Sequence, residues 1–152
     1  MKQLLLLVIL LPFFISCTPK NNNIFQYHKF QGDTWNRFDK VSFTIPVMQP
    51  GKYDVFLEAY HNQAFDRNAF SINMIMNTPS GEERINEYNY EMKDKLGKFR
   101  TSCTGDSCKI NIALKKSIIL EKGELKLEIE NLIPYIETSG LKGIGIRVIP
   151  LK

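Results

Sequence analysis

Through most of the chain, apolar residues stand at every second position. Val41, Phe43 and Ile45 alternate with Ser42, Thr44 and Pro46, and Tyr53, Val55, Leu57 and Ala59 alternate with Asp54, Phe56, Glu58 and Tyr60. Phe70, Ile72, Met74 and Met76 follow the same rule, as do Ile110, Ile112 and Leu114, then Leu125, Leu127 and Ile129, then Ile144, Ile146 and Val148. A period of two marks strands with one face in a core and the other in water. Residues 117–123 read as a shorter strand and residues 84–92 as a weaker one. Turn signals separate the runs: Pro50-Gly51, Pro79-Ser80-Gly81, Gly97, Gly105 and Lys122-Gly123. No stretch carries a sustained helical stripe. The pattern predicts an all-β fold, an antiparallel β-sandwich of about eight strands with jelly-roll-like topology. In the last strand Gly143 and Gly145 share the face opposite Ile144 and Ile146, a place where an aromatic ring or a neighbouring backbone can come close.

Ahead of the strands the pattern is different. Leu4 to Ile15 is apolar and uncharged, and Lys2 precedes it. A spanning helix needs about 20 such residues, so this run reads as a signal peptide over residues 1–16. Phe14-Ile15-Ser16-Cys17 has the form of a relaxed bacterial lipobox, which makes Cys17 the lipidation site. The alternative is an ordinary signal peptide with Cys17 incidental. One acyl chain holds a protein only weakly, at about 0.8 kcal/mol per buried CH2, and several hold it firmly. Residues 17–24, rich in asparagine, read as a lipidated tether, and residues 25–152 as a single domain.

Composition adds little to this. Without Lys2 the formal charge is +3, and the charges are interspersed, with no basic block of the kind that binds nucleic acid. Lys115-Lys116 reads as a solvated hairpin flank. Cys103 and Cys108 enclose Thr104-Gly105-Asp106-Ser107, whose turn chemistry suits a disulfide outside the cytoplasm. Two free thiols remain open. A zinc site also remains open in principle, but it would need ligands beyond this pair.

Several stretches, taken in order, carry a resemblance: GDTWNRFDKVSFTIP, PGKYDVFLEAYHNQAFDRNAFSINMIMNTPSGE, KDKLGKF, KGELKLEIEN and GLKGIGIRV. Their order from about Phe25 to Val148 resembles the GldH family of gliding motility lipoproteins of the Bacteroidetes. Trp35, Tyr53, Asn68, Pro79, Gly81, Gly97 and Gly145 match the family pattern, and the CTGDSC segment departs from it. The resemblance implies a membrane-anchored, non-catalytic accessory subunit of a gliding-motility or secretion-related assembly, with envelope protein partners and no cofactor.

The residues themselves offer little chemistry. G-x-S-x-G, H-E-x-x-H and the phosphate-binding loop are all missing, and no metal, cofactor or catalytic residue is expected. The candidate interaction surface is Trp35, Tyr60 and Phe65 with His61, Arg67 and Asn68 as polar neighbours, and Phe56 with Tyr60 as a second patch. For Trp35 itself the favoured reading is a plug at the end of the sandwich core, with protein or glycan contact as the alternatives. A carbohydrate-binding sandwich lipoprotein is the alternative function. No acidic residue follows Cys17 in Thr18-Pro19-Lys20-Asn21, which favours the periplasmic face over the cell surface.

Overall fold

The computed structural model describes residues 23–152. The expected signal peptide, Cys17 and most of the expected tether lie outside the described residues. Eleven strands form: β1 Ile24–Lys29, β2 Thr34–Asn36, β3 Lys40–Val47, β4 Gly51–His61, β5 Ala69–Asn77, β6 Glu83–Glu91, β7 Ser102–Thr104, β8 Ser107–Leu120, β9 Gly123–Asn131, β10 Glu137–Ser139 and β11 Leu141–Pro150. One sheet runs β1-β11-β4-β8-β7 and the other β3-β9-β5-β6, with β2 and β10 forming a two-stranded ribbon. Leaving aside the three-residue strands, this order is that of a jelly roll, every pair antiparallel.

The alternation decides which face is buried. Val41, Phe43, Ile45 and Val47 all point inward from β3, and Phe70, Ile72, Met74 and Met76 from β5. Val55, Leu57 and Ala59 of β4 meet them from the other sheet, with Ile144, Ile146 and Val148 of β11. Fully burying an aliphatic side chain of this size stabilises by about 1.5–3 kcal/mol.

Three expectations need correction. The chain is already in a strand at Ile24, whose neighbour Phe25 begins the outward row of β1. Residues 117–120 are no separate strand: they continue β8 through a kink at Ser117, which has φ 51°. The Asp54 carboxylate holds that kink, accepting the Ser117 N–H at 2.9 Å and the Lys116 ammonium at 3.0 Å. Lys115-Lys116 is therefore mid-strand and not a hairpin flank. Residues 83–91, expected as a weaker strand, do form one and pair with β5 along their whole length.

Cys103 and Cys108 face each other across the β7–β8 hairpin and are disulfide-bonded. The two outer sheet faces differ in charge. That of the five-stranded sheet carries Lys29, Lys52, Lys109, Lys116 and Arg147 against Asp54 and Glu58. That of the four-stranded sheet carries Lys40 and Lys126 against Glu83, Glu87, Glu91, Glu124, Glu128 and Glu130.

Candidate functional site

Three of the residues proposed as surface are interior. Trp35 is fully buried, stacked on Phe30 with ring centroids 4.9 Å apart, its indole N–H donating to the Asp39 carbonyl at 3.0 Å. Phe65 and His61 are buried too, with rings 5.2 Å apart. The cause is the β4–β5 loop, which folds back on itself. Asn62 accepts the Ala64 N–H on its side chain and the Phe65 N–H on its carbonyl, and its own N–H binds the Gly140 carbonyl. The loop thereby tucks Phe65 against Phe70 and closes the sandwich end. Trp35 is the plug of that end.

Above the plug lies a surface the alternation did not reveal. Arg37 donates its N–H to the Ile136 carbonyl at 2.8 Å, which brings Phe38 and Ile136 to one tip. Phe38 is 81% exposed and Ile136 74%. Beside them Tyr135 is 48% exposed, with the Arg67 guanidinium 3.8 Å from its ring centroid. Arg67 thus belongs to the tip. The neighbouring Asn68 is exposed and gives its carbonyl to the Met92 N–H. Phe38 is out of phase with Val41 and Phe43, and Tyr135-Ile136 follows Pro134 beyond the end of β9. An apolar residue off the strand period was the available signal.

Phe56 and Tyr60 do lie on the outer face of the five-stranded sheet, both half-buried. There Tyr60 joins Glu58 and residues from β1 and β11 in a closed ring. Phe25 lies 4.6 Å from the Arg147 guanidinium, which donates to Glu58 at 2.6 Å. Glu58 accepts the Tyr60 hydroxyl at 2.5 Å, Tyr60 meets Tyr27 edge-on at 5.4 Å, and Tyr27 stacks back on Phe25. Gly145 is the floor: a Cβ there would stand 2.6 Å from the Phe25 ring. Phe56 sits apart, capped by the Lys116 ammonium 4.2 Å from its ring. Burial pushes the Glu58 carboxyl up, but the bonds from Arg147 and Tyr60 and the nearby Lys109 charge outweigh it, so the group ends below the usual glutamate value. Tyr60 is pushed up to about 12, first by burial and then by its bond to Glu58.

His61 is the one buried titratable ring of the loop end. Its Nδ1 lies 3.0 Å from the Asn62 carbonyl, while Nε2 has no partner. Burial, partly opposed by that hydrogen bond, holds its pKa below the ordinary histidine value. A depressed histidine leaves stability intact above about pH 6.5 and costs stability as pH falls through the folded value. We expect unfolding free energy, measured by urea titration, to fall between pH 7 and pH 5 by at most about 1.4 kcal/mol per unit from this group. His61→Phe should flatten that interval. An unchanged slope would assign it elsewhere.

Sequence comparison with known proteins points to one family. The family described as GldH lipoprotein matches residues 22–148. The gliding motility lipoprotein GldH of Flavobacterium johnsoniae is 27% identical, over 95% of this chain and 92% of its own length. Among solved structures, Eiger TNF from S. frugiperda superposes with TM-score 0.44 at 13% identity, covering 86% of this chain and 92% of that one. TmCBM61 in complex with beta-1,4-galactotriose gives 0.37 at 13%, covering 86% and 70%. Superpositions this loose bear on neither fold nor ligand. The match across nearly all of the described residues means that this chain belongs to the GldH lipoprotein family.

Proposed function

We propose that this protein is a lipid-anchored, non-catalytic lipoprotein of the cell envelope, acting as an interaction subunit of a gliding-motility or secretion-related assembly. Membership of a lipoprotein family supports the anchor at Cys17, and the named relative supports the process. One observation carries the contact: Phe38 and Ile136 stand exposed together, flanked by Arg37, Arg67 and Tyr135, at the sandwich end away from Ile24. Strand β1 leaves Ile24, next to the tether, and runs toward this tip. Exposed aromatic and arginine side chains clustered on loops are the usual makings of a binding hot spot. The absence of acidic residues after Cys17 favours the periplasmic side.

The test is a mild crosslinking pull-down from native membranes with the double variant Phe38→Ser/Ile136→Ser. Losing two hot-spot side chains should cut partner recovery about 30-fold or more. Both residues are so exposed that stability should stay within about 0.5 kcal/mol. Ile85→Ser, on the far sheet face, should recover partners as wild type does. Unaltered recovery by the double variant rules out the tip, and enrichment of surface-exposed proteins alone would reverse the periplasmic placement. A carbohydrate ligand is the second reading, favoured by the exposed Tyr135 ring beside Arg67. Binding on a glycan array that Tyr135→Ala abolishes would establish it in place of the first.

A further inference from the structure

Resting on the lipid anchor proposed above at Cys17, we infer that the outer face of the five-stranded sheet lies flat against the membrane surface that holds the anchor, with anionic lipid headgroups as its counterpart. Three observations converge. The first is chain length. Cys17 precedes Ile24 by seven residues, which reach at most about 25 Å fully extended. Ile24 opens β1, the edge strand of this sheet, and Phe25 is its first outward residue. Of the two sheets, this one is joined directly to the anchor.

The second is charge. Five cations against two carboxylates stand on this outer face, and two cations against six on the other. The two carboxylates are taken up by ion pairs, Glu58 with Arg147 and Asp54 with Lys116, which leaves Lys29, Lys52 and Lys109 as the net positive charge of this face. An anionic surface attracts the first face and repels the second. That asymmetry selects one of the two ways a tethered sandwich can lie down.

The third is the apolar content. Phe25 and Tyr27 are exposed beside Arg147, and Ile119 is 70% exposed opposite Lys52. Aromatic rings with a polar tip, and lysines with long apolar stems, are the side chains that settle at the headgroup level. A sheet lying in this way also keeps the Phe38–Ile136 tip close to the bilayer, where it can meet a partner seated in or on the same membrane.

The experiment uses full-length lipidated protein in phosphatidylethanolamine–phosphatidylglycerol vesicles. Asn111→Cys places a single fluorescent label on the proposed lipid face, and Glu87→Cys places one on the opposite face. Cys17 is acylated and Cys103–Cys108 is bridged, so the new thiol alone reacts. With headgroup spin-labelled lipid as quencher, the label at 111 should be quenched several-fold more than that at 87. The difference should collapse in 1 M salt, where the Debye length falls to about 3 Å from about 10 Å at 0.1 M. It should also collapse with Lys29→Glu/Lys116→Glu, while the lipid still keeps that variant on the vesicle. Should Asn111→Cys fail to fold, Lys52→Cys samples the same face. Equal quenching at the two positions, or stronger quenching at 87, overturns the inference. So does a label at 111 that is shielded in native membranes and free in lipid vesicles, which would give the face to a protein.

Discussion

Gly140→Ala should lower the unfolding free energy by about 3–5 kcal/mol, a loss read as a drop in melting temperature of roughly 10–20 °C. Two costs add at this position. Gly140 has φ +85°, where an L residue pays about 1–2 kcal/mol. It also lies flat on the β4–β5 loop: a Cβ would stand 2.7 Å from the Ala64 carbonyl carbon and 2.7 Å from the Phe65 Cα. Those are backbone atoms, so no rotamer change relieves the clash and the loop itself must move. The loop carries Phe65 into the core and receives the Gly140 carbonyl on the Asn62 N–H, so moving it loosens the plug made with Trp35 and Phe70. Gly97 separates the two costs. It has φ +77° with nothing within 4 Å of a Cβ, so Gly97→Ala should pay the conformational cost alone, about 1–2 kcal/mol. If the two variants unfold at the same denaturant concentration, the close approach contributes nothing and the argument for Gly140 fails.

The strands legible in the sequence were those with two well-separated faces. Val41, Phe43 and Ile45 or Leu125, Leu127 and Ile129 have water on one side and core on the other, so their period states their structure. Strand β1 was illegible because its aromatics point the wrong way for a simple reading. Phe25 and Tyr27 face outward over glycines, while Gln26 reaches across to the Thr44 carbonyl. Strand β6 was faint because it is an edge, with Tyr88 and Tyr90 only half-buried against the core. The kink at Ser117 hid the continuity of β8, since a left-handed serine held by a distant aspartate leaves no local signature. For the candidate site, residue type was a poor guide to exposure. Trp35, His61 and Phe65 are interface-type residues, but the folded-back β4–β5 loop buries Phe65 beside His61, and Phe30 and Phe70 cover Trp35. The exposed positions, Phe38 and Ile136, come together only through the pairing of β2 with β10. That pairing joins segments about a hundred residues apart, and no local pattern encodes it.

Arg147→Met should cost about 3 kcal/mol at pH 7, because it strands the Glu58 carboxylate in a nearly dry position. Glu58 would keep the Tyr60 hydroxyl and a lysine, Lys109, 3.7 Å away; these soften the loss and do not replace a bond of 2.6 Å. The sign of the pH dependence then separates this account from mere loss of packing. In the native protein the folded Glu58 pKa is depressed. Its contribution is therefore complete above the ordinary glutamate value of about 4.3 and is lost as pH falls through the folded value. With Arg147 gone, burial dominates and the folded pKa rises above the unfolded one. The variant then loses stability as pH rises through that interval, so its deficit against the native protein should shrink on going from pH 7 to pH 4. Glu58→Gln/Arg147→Met removes both charges while the new side-chain amide still accepts from Tyr60, and it should recover most of the loss. That recovery amounts to a coupling of about 2 kcal/mol in a double-mutant cycle read by urea denaturation. A deficit that stays constant with pH, together with additive single variants, would mean that Arg147 acts through its contact with Phe25 alone. In that case the ring over Gly145 is held by packing, and the charges on this face are free to meet a partner.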